Sequence, residues 1–404
     1  MTKYFKKCNR YFRFGEPTIA KAAGYYPYFH PITGEQNPVV IMDDNKETIM
    51  CGSNNYLGMT SHPKVKEAAK AAIDEYGVGS TGSRLLNGTM EIHLELEERL
   101  AKFVGTEDCV VYSTGMQANL GTLSALLSEE DEWVVSDQCN HASIIDGIRL
   151  GKNKAENKKI YKHNNMEDFE KCIREVPKGK ALIVTDGVFS MEGAIAKLDT
   201  IVDLAEERDA GVYVDDAHAV GVIGPYGRGT ANHFDILDKV DVTMGTFSKT
   251  FATVGGYVAT DKKICNWLRH KARAFIFSAS PPPATCATVL AILDLIENDE
   301  SYKNRLTEIG NKMRKGLSDM GYDTGPSETP IVPLIIGGIK KTMNFFMDLY
   351  NHKPVGIFTN PVMAPATQEG RELVRTSYMA TMTDEVLDQA LEIFEKVGRK
   401  AKII

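Results

Sequence analysis

The chain has 404 residues, with 47 Lys plus Arg against 54 Asp plus Glu, a formal charge of -7, 43% hydrophobic and 25% charged residues. That length allows two to three domains, or one large core with an appended lobe, and the balanced composition excludes disordered and collagen-like chains. The acidic balance also lacks the basic excess that binding a phosphate backbone requires, so nucleic acid is excluded as a partner.

Residues 1–45 show no clear periodicity and read as an arm rich in aromatics, among them Tyr25, Tyr26, Tyr28 and Phe29. The first 14 residues carry five basic side chains and no apolar core segment, so they predict no secretory signal. Lys3, Tyr4, Phe5, Lys6, Lys7, Arg10, Tyr11, Phe12 and Arg13, with no acid among them, leave two expectations open. The arm packs on a second subunit, or it rests on an anionic membrane surface at the inner face. Seven scattered cysteines (Cys8, Cys51, Cys109, Cys139, Cys172, Cys265, Cys286) with no Cys-x-x-Cys pair predict reduced thiols in a cytoplasmic protein, without disulfides or a metal site.

From Pro63 to Tyr76 strong helix formers follow a helix-initiating proline and meet Gly77, which predicts a helix. The next residues, Gly77-Val78-Gly79-Ser80-Thr81-Gly82, match the dinucleotide pattern G-x-G-x-x-G. Their context is wrong, because that fingerprint must follow a strand and open a helix. They read either as a turn or as part of a substrate pocket. Apolar strand candidates then alternate with helical patterns: 109–113, 133–137, 181–188, 211–217 and 241–248. Such alternation predicts an α/β fold with a mostly parallel central sheet, helices on both faces, and ligands beyond the carboxyl ends of the strands. The uncharged run Ala274 to Leu293 is long enough to span a bilayer. Its Pro281-Pro282-Pro283 breaks any helix there, so it predicts a strand or loop and then a core helix. Beyond about 290, amphipathic segments and short strand candidates (331–336, 356–360) predict a smaller C-terminal α+β domain. The expected organisation is an arm at 1–45, a large domain at 46–290 and a small domain at 291–404.

Three strand ends carry chemistry. Ser113-Thr114-Gly115-Met116 passes from a strand into a helix, where free backbone N–H groups make a phosphate seat. Val214-Asp215-Asp216-Ala217-His218 closes an apolar strand with two carboxylates and an imidazole, which are costly there unless used. Gly245-Thr246-Phe247-Ser248-Lys249-Thr250 closes another with a lysine among small hydroxyl residues, suited to a Schiff-base amine. An anion seat, an acid and an amine together are what pyridoxal 5'-phosphate requires.

With Asn54-Asn55-Tyr56-Leu57-Gly58, Asn140-His141-Ala142-Ser143, Asp215-Asp216-Ala217-His218 and Thr246-Phe247-Ser248-Lys249, the chain resembles the α-oxoamine synthases, which are fold-type I pyridoxal-phosphate enzymes, from about residue 20 to about 395. Members condense an amino acid with an acyl-CoA, releasing CO2 and CoA. The segments 24–29, 82–89, 245–249 and 277–280 are most similar to members that join L-serine to a long-chain acyl-CoA, palmitoyl-CoA, giving 3-ketodihydrosphingosine, the entry to sphingolipids; the alternative within the family is glycine or alanine with a shorter acyl-CoA. The resemblance implies catalytic roles for Lys249, His141 and Asp215. Lys249 holds the cofactor and takes the α-proton, Asp215 pairs with the pyridinium nitrogen, and His141 stacks on the ring. It places His218 and Ser190 at the ring hydroxyl, and Gly115, Met116, Thr246 and Ser248 at the phosphate. Ser278 reaches that phosphate from the other subunit of a homodimer with shared sites. Asn55, Tyr56, Ser83 and Arg375 are implied at the substrate, Asn55 and Arg375 on its carboxylate. Two departures stand out: Asp216 replaces the usual glutamate, and Met116 stands where an aromatic is frequent.

Overall fold

A computed structural model describes residues 2–42 and 46–404. The expected end of the arm, at residue 45, lies outside the described residues. Within the arm two short helices form, Lys6–Phe14 and Glu16–Ala22, where the sequence showed no period. The first buries none of its residues, and Phe12 and Phe14 stay 78% and 74% exposed. Its basic Lys6, Lys7, Arg10 and Arg13 occupy one side and Cys8, Tyr11 and Phe12 the other, by helical spacing.

Strands β1 (Val39–Met42) and β2 (Lys46–Met50) form an antiparallel ribbon. The central sheet takes the next seven: β3 (Asp108–Tyr112), β4 (Trp133–Asp137), β5 (Lys158–Tyr161), β6 (Ala181–Asp186), β7 (Gly211–Asp215), β8 (Val242–Thr246) and β9 (Gly256–Thr260). Their order is β3-β9-β8-β7-β6-β4-β5, parallel throughout except for β9, which runs against both neighbours. Every residue of β8 and β9 is buried. Helices must therefore cover both faces, as a parallel sheet of continuous apolar strands demands. The expected strands at 133–137, 181–188, 211–217 and 241–248 are β4, β6, β7 and β8, the last three ending two residues earlier than their apolar runs. The helix at Pro63–Tyr76 forms as predicted and packs against Pro283–Ile296, the helix that follows the triple proline. Among the described residues no helix is long and apolar enough to cross a membrane.

The C-terminal lobe is built on β10 (Ile331–Ile335), β11 (Gly356–Phe358), β12 (Asn360–Val362) and β13 (Leu373–Ser377). β10, β13 and β12 form an antiparallel sheet, while β11 pairs in parallel with β2. The strand at 46–50, which the sequence reading placed in the large domain, thus hydrogen-bonds to the lobe. Ile49 and Met50 join Ile309, Val332, Phe346 and Phe394 in its core. The lobe's last helix, Asp384–Lys400, is capped by the Thr383 hydroxyl on Val386 N–H, with acids in its first turn and bases in its last.

Candidate active site

The carboxyl ends of β6, β7 and β8 and the start of the helix Gly115–Leu126 enclose a cavity of about 310 Å3, where a doubly wound sheet is expected to bind ligands. Gly115, Met116, His141, Asp215, His218, Thr246, Ser248 and Lys249 all line it. These are eight of the fourteen site residues read from the sequence.

Asp215 ends β7 and is 4% exposed. Its Oδ2 accepts from Asn119 Nδ2 at 2.7 Å and its Oδ1 from the Ala217 N–H at 3.0 Å. The Asn119 amide is oriented by its other end, where Oδ1 accepts from the Tyr213 hydroxyl at 2.6 Å. Only the NH2 is left to face the carboxylate and the Ser143 hydroxyl. Beside Asp215 in register on β6 is Asp186, a second buried acid lining the cavity that the sequence reading passed over. Burial and then the neighbouring Asp215 push its carboxyl well above the usual range. Its Oδ1 accepts from the His141 N–H at 3.3 Å.

Lys249 follows β8. Burial lowers its ammonium to about 8, with Asp215 and Asp186 working against that shift and Arg375 adding to it. An amine so placed is readily available unprotonated, as a nucleophile or base must be. His141 and His218 are both pushed below the ordinary imidazole range, first by burial, so both rings are neutral.

The anion seat is built by close approach. Thr114 caps the helix, accepting from Gln117 N–H at 3.1 Å, and Thr246 Oγ1 and Ser248 Oγ lie 3.0 Å apart on the facing strand end. A Cβ at Gly256 would fall 2.7 Å from Gly115 Cα and 2.9 Å from its nitrogen, backbone atoms that cannot turn aside. Gly256→Ala is therefore expected to push the helix start off β9 and weaken pyridoxal phosphate about tenfold or more, at roughly 1.4 kcal/mol or above. Cofactor titration of the apoprotein measures this, and unchanged affinity would refute the account of the seat.

The remaining six predicted site residues lie elsewhere. Asn55 is turned away: its Nδ2 donates to the Gln36 carbonyl and Thr60 hydroxyl, at 3.2 and 2.8 Å. Its neighbour Asn54 instead faces Arg375, accepting from Nη2 at 3.0 Å. Arg375, on β13, is 4% exposed and pinned by the Ser190 carbonyl, Ser377 hydroxyl and Tyr56 hydroxyl as well. Ser190 thus meets Arg375 through its backbone and is not on the cavity wall. Tyr56 is fully buried behind His218 and is not on the cavity wall. Ser278 accepts from Gln117 Nε2 at 2.9 Å within its own chain. Ser83 Oγ is buried without a hydrogen-bond partner among the described residues, in a loop tied to Ser280 through the Gly82 and Gly88 carbonyls.

A positioning cluster lies just behind the site. His163 donates from Nδ1 to Asp137 at 2.9 Å and from Nε2 to Glu192 at 3.1 Å, joining the end of β4 to the loop that carries Ser190. Asp137, Cys139 and His163 place three potential metal-ligand atoms within 4.8 Å of one another. The Asp137 oxygens already accept from the Cys139 and Asn164 N–H groups, and both imidazole nitrogens are engaged. Burial disfavours the charged ring, but its bonds to Asp137, Cys139 and Glu192 outweigh this and hold it protonated far above the imidazole range. A raised folded value contributes stability in full below the unfolded value, about 6.5, and loses it as pH rises toward the folded one. His163→Gln is expected to cost about 2 kcal/mol at mildly acidic pH and progressively less above neutrality. Denaturant melts at several pH values test this, and a penalty that grew with pH would contradict it.

The donor set fits pyridoxal phosphate. Backbone N–H groups with Thr246 and Ser248 suit its phosphate, Asp215 its pyridinium nitrogen, and the uncharged-leaning Lys249 amine its aldehyde. Gly115 also keeps the phosphate end clear, since a Cβ there would fall 2.7 Å from Thr246 Oγ1.

The profile of the aminotransferase class I and II family matches residues 46–394. A serine palmitoyltransferase of Bacteriovorax stolpii is 47% identical over 93% of this chain and 88% of its own length. An 8-amino-7-oxononanoate synthase of Thermoanaerobacter pseudethanolicus is 42% identical over 95% and 96%. Among solved structures, a serine palmitoyltransferase variant from S. paucimobilis with bound PLP-myriocin aldimine superposes with a TM-score of 0.94 at 32% identity, covering 100% of both chains.

Proposed function

Since the chain belongs to the class I and II aminotransferases, and within them to the pyridoxal-phosphate-dependent acyltransferases of the α-oxoamine synthase family, we propose that it condenses L-serine with palmitoyl-CoA. The observation that carries the chemistry is one cavity joining the Lys249 amine and the Asp215 carboxylate. What favours serine and a long acyl chain is the 47% and 44% identity to two serine palmitoyltransferases, against 42% and 43% to two 8-amino-7-oxononanoate synthases, although other serine palmitoyltransferases stand at 42%, together with the TM-score of 0.94 to a solved serine palmitoyltransferase.

Bound between Asp215 and Lys249, the cofactor supplies an electron sink for negative charge at the amino acid's Cα. Asp215 holds the ring nitrogen protonated, and the neutral His141 ring covers a face of the cavity. Arg375 lies off the cavity wall but acts electrostatically on Lys249 and His218, and it is the cation toward which the serine carboxylate is drawn. Lys249 removes the Cα proton. The carbanion adds to the thioester carbonyl, the CoA thiolate leaves, the carboxylate departs as CO2, and a proton returns to Cα to give 3-ketodihydrosphingosine. With the carboxylate drawn toward Arg375 before chemistry, the Cα proton would be the group left to Lys249, so that proton loss would precede decarboxylation.

The active unit is a homodimer with shared sites. Leu86 and Phe277 are 79% and 71% exposed on two loops that Ser280 fastens together beside the Gln117–Ser278 bond, an apolar patch that suits a partner subunit. The uncovered aromatic side of Lys6–Phe14 packs on the same partner. Loss of the dimer on deleting residues 2–13 supports this; an intact dimer that no longer floats with anionic vesicles assigns the arm to the membrane instead.

The test of the reading pairs serine, glycine or alanine with a panel of acyl-CoAs and identifies products by mass. A 3-ketodihydrosphingosine product confined to serine and long chains is expected. Product from alanine with a shorter acyl-CoA moves the assignment to an 8-amino-7-oxononanoate synthase, and no CoA release from any pair overturns acyl transfer.

A further inference from the structure

Tyr56 makes no contact with the cavity, yet its hydroxyl stands where three groups meet. It lies 2.6 Å from His218 Nδ1, 3.3 Å from Arg375 Nη2 and 3.4 Å from Asn54 Oδ1. Arginine only donates, so toward Arg375 the phenol oxygen is an acceptor. Its single hydrogen must then point to Nδ1 or to Asn54 Oδ1. The first distance is that of a strong hydrogen bond and the second is near the limit of one. Asn54 Oδ1 is moreover already served by the same guanidinium at 3.0 Å. The phenol is full length, fully buried and kept protonated by that burial, against the pull of Arg375, so it retains the hydrogen to give. The Arg375 N–H on its oxygen polarises the O–H and strengthens the donation.

A neutral imidazole that accepts at Nδ1 carries its proton on Nε2. His218 lines the cavity, and Nε2 is the ring nitrogen Tyr56 leaves free. We propose that Tyr56 is a positioning residue that locks His218 in the Nε2–H tautomer, so that a bound molecule meets a hydrogen-bond donor at that point of the cavity. The site then accepts an electron-rich oxygen there and refuses a donor. Its bearing on catalysis rests on the reading above, in which that oxygen belongs to the cofactor ring, while the tautomer itself does not depend on any substrate. The shared phenol oxygen further ties this donor to Arg375, so the groups assigned to ring and carboxylate are set by one side chain.

The experiment uses holoenzyme labelled with 15N-histidine, the His218 signals being those absent from His218→Gln. Wild type is expected to show a protonated Nε2 and an unprotonated Nδ1. Tyr56→Phe, which keeps the ring packing, is expected to show averaged shifts from both tautomers, with the pH midpoint of the cofactor's visible absorption displaced upward. KM for the amino acid is expected to rise about three- to tenfold, one lost hydrogen bond's worth. A protonated Nδ1 in wild type overturns the proposal even if Tyr56→Phe fails to fold, and so does an unchanged tautomer in a folded Tyr56→Phe. The product assay decides the substrate separately, so failure of one claim leaves the other standing.

Discussion

Lys249→Ala is expected to lower turnover at least about a thousandfold, the loss of both the attachment point and the proton carrier at Cα. The fold should survive, because the side chain ends in a cavity and caps no core contact; its main chain is held through the Ala252 N–H to its carbonyl. Pyridoxal phosphate should still bind, since the seat at Gly115, Thr246 and Ser248 and the Asp215 partner are untouched, but borohydride should no longer fix it to the chain. The wild-type apoprotein adds a second check. With its ammonium lowered to about 8 by burial, the amine gains its reactive form as pH rises through that value, about two units below an exposed lysine. Cofactor capture should accelerate over that window, and amine labelling at Lys249 should precede that of surface lysines. Product at a normal rate from Lys249→Ala would sink the assignment.

Where the sequence was legible, it was because one local signal sufficed. The apolar runs at 133–137 and 241–248 became strands since buried parallel strands need little else, and Pro63 and Gly77 bracket their helix from both ends. The edge strand β5, Lys-Lys-Ile-Tyr, gave no such signal: with one neighbour only, it tolerates two lysines. β13 is interrupted by Arg375, a charge that breaks the apolar run of a buried strand and is accommodated only because the Ser190 carbonyl, Ser377 and Asn54 surround it. Choosing between Asn54 and Asn55 needed the direction of one side chain in an irregular segment, which periodicity does not supply. Asp186 was within reach, because a carboxylate ending an apolar strand is the reasoning that found Asp215. Asn119 was not, for nothing in an apolar helix says that one amide will meet an acid from a strand ninety-six positions away.

Asp215→Asn is expected to cost about a hundred- to a thousandfold in kcat, the scale of removing one preorganised charge from a dry site. The substitution is nearly isosteric, but it is not silent in the hydrogen bonds. The new amide oxygen can accept from Asn119 Nδ2, since Tyr213 holds that amide in place. Its NH2 then faces the Ala217 N–H, donor against donor, in a position only 4% exposed. The pyridinium proton loses its counter-charge, so the ring becomes a weaker sink and proton abstraction by Lys249 slows. Asp186 limits the damage. Its carboxyl is pushed well above the usual range by burial and then by the charge of Asp215, so neutralising Asp215 releases part of that pressure and favours charge on the adjoining strand. Asp186→Asn alone should therefore be mild, and the double variant should lose more than the two single losses combined. A double-variant cycle in kcat, with cofactor affinity measured in parallel, tests this coupling. Strict additivity would show that the two acids act separately, and a fully active Asp215→Asn would remove Asp215 from the chemistry.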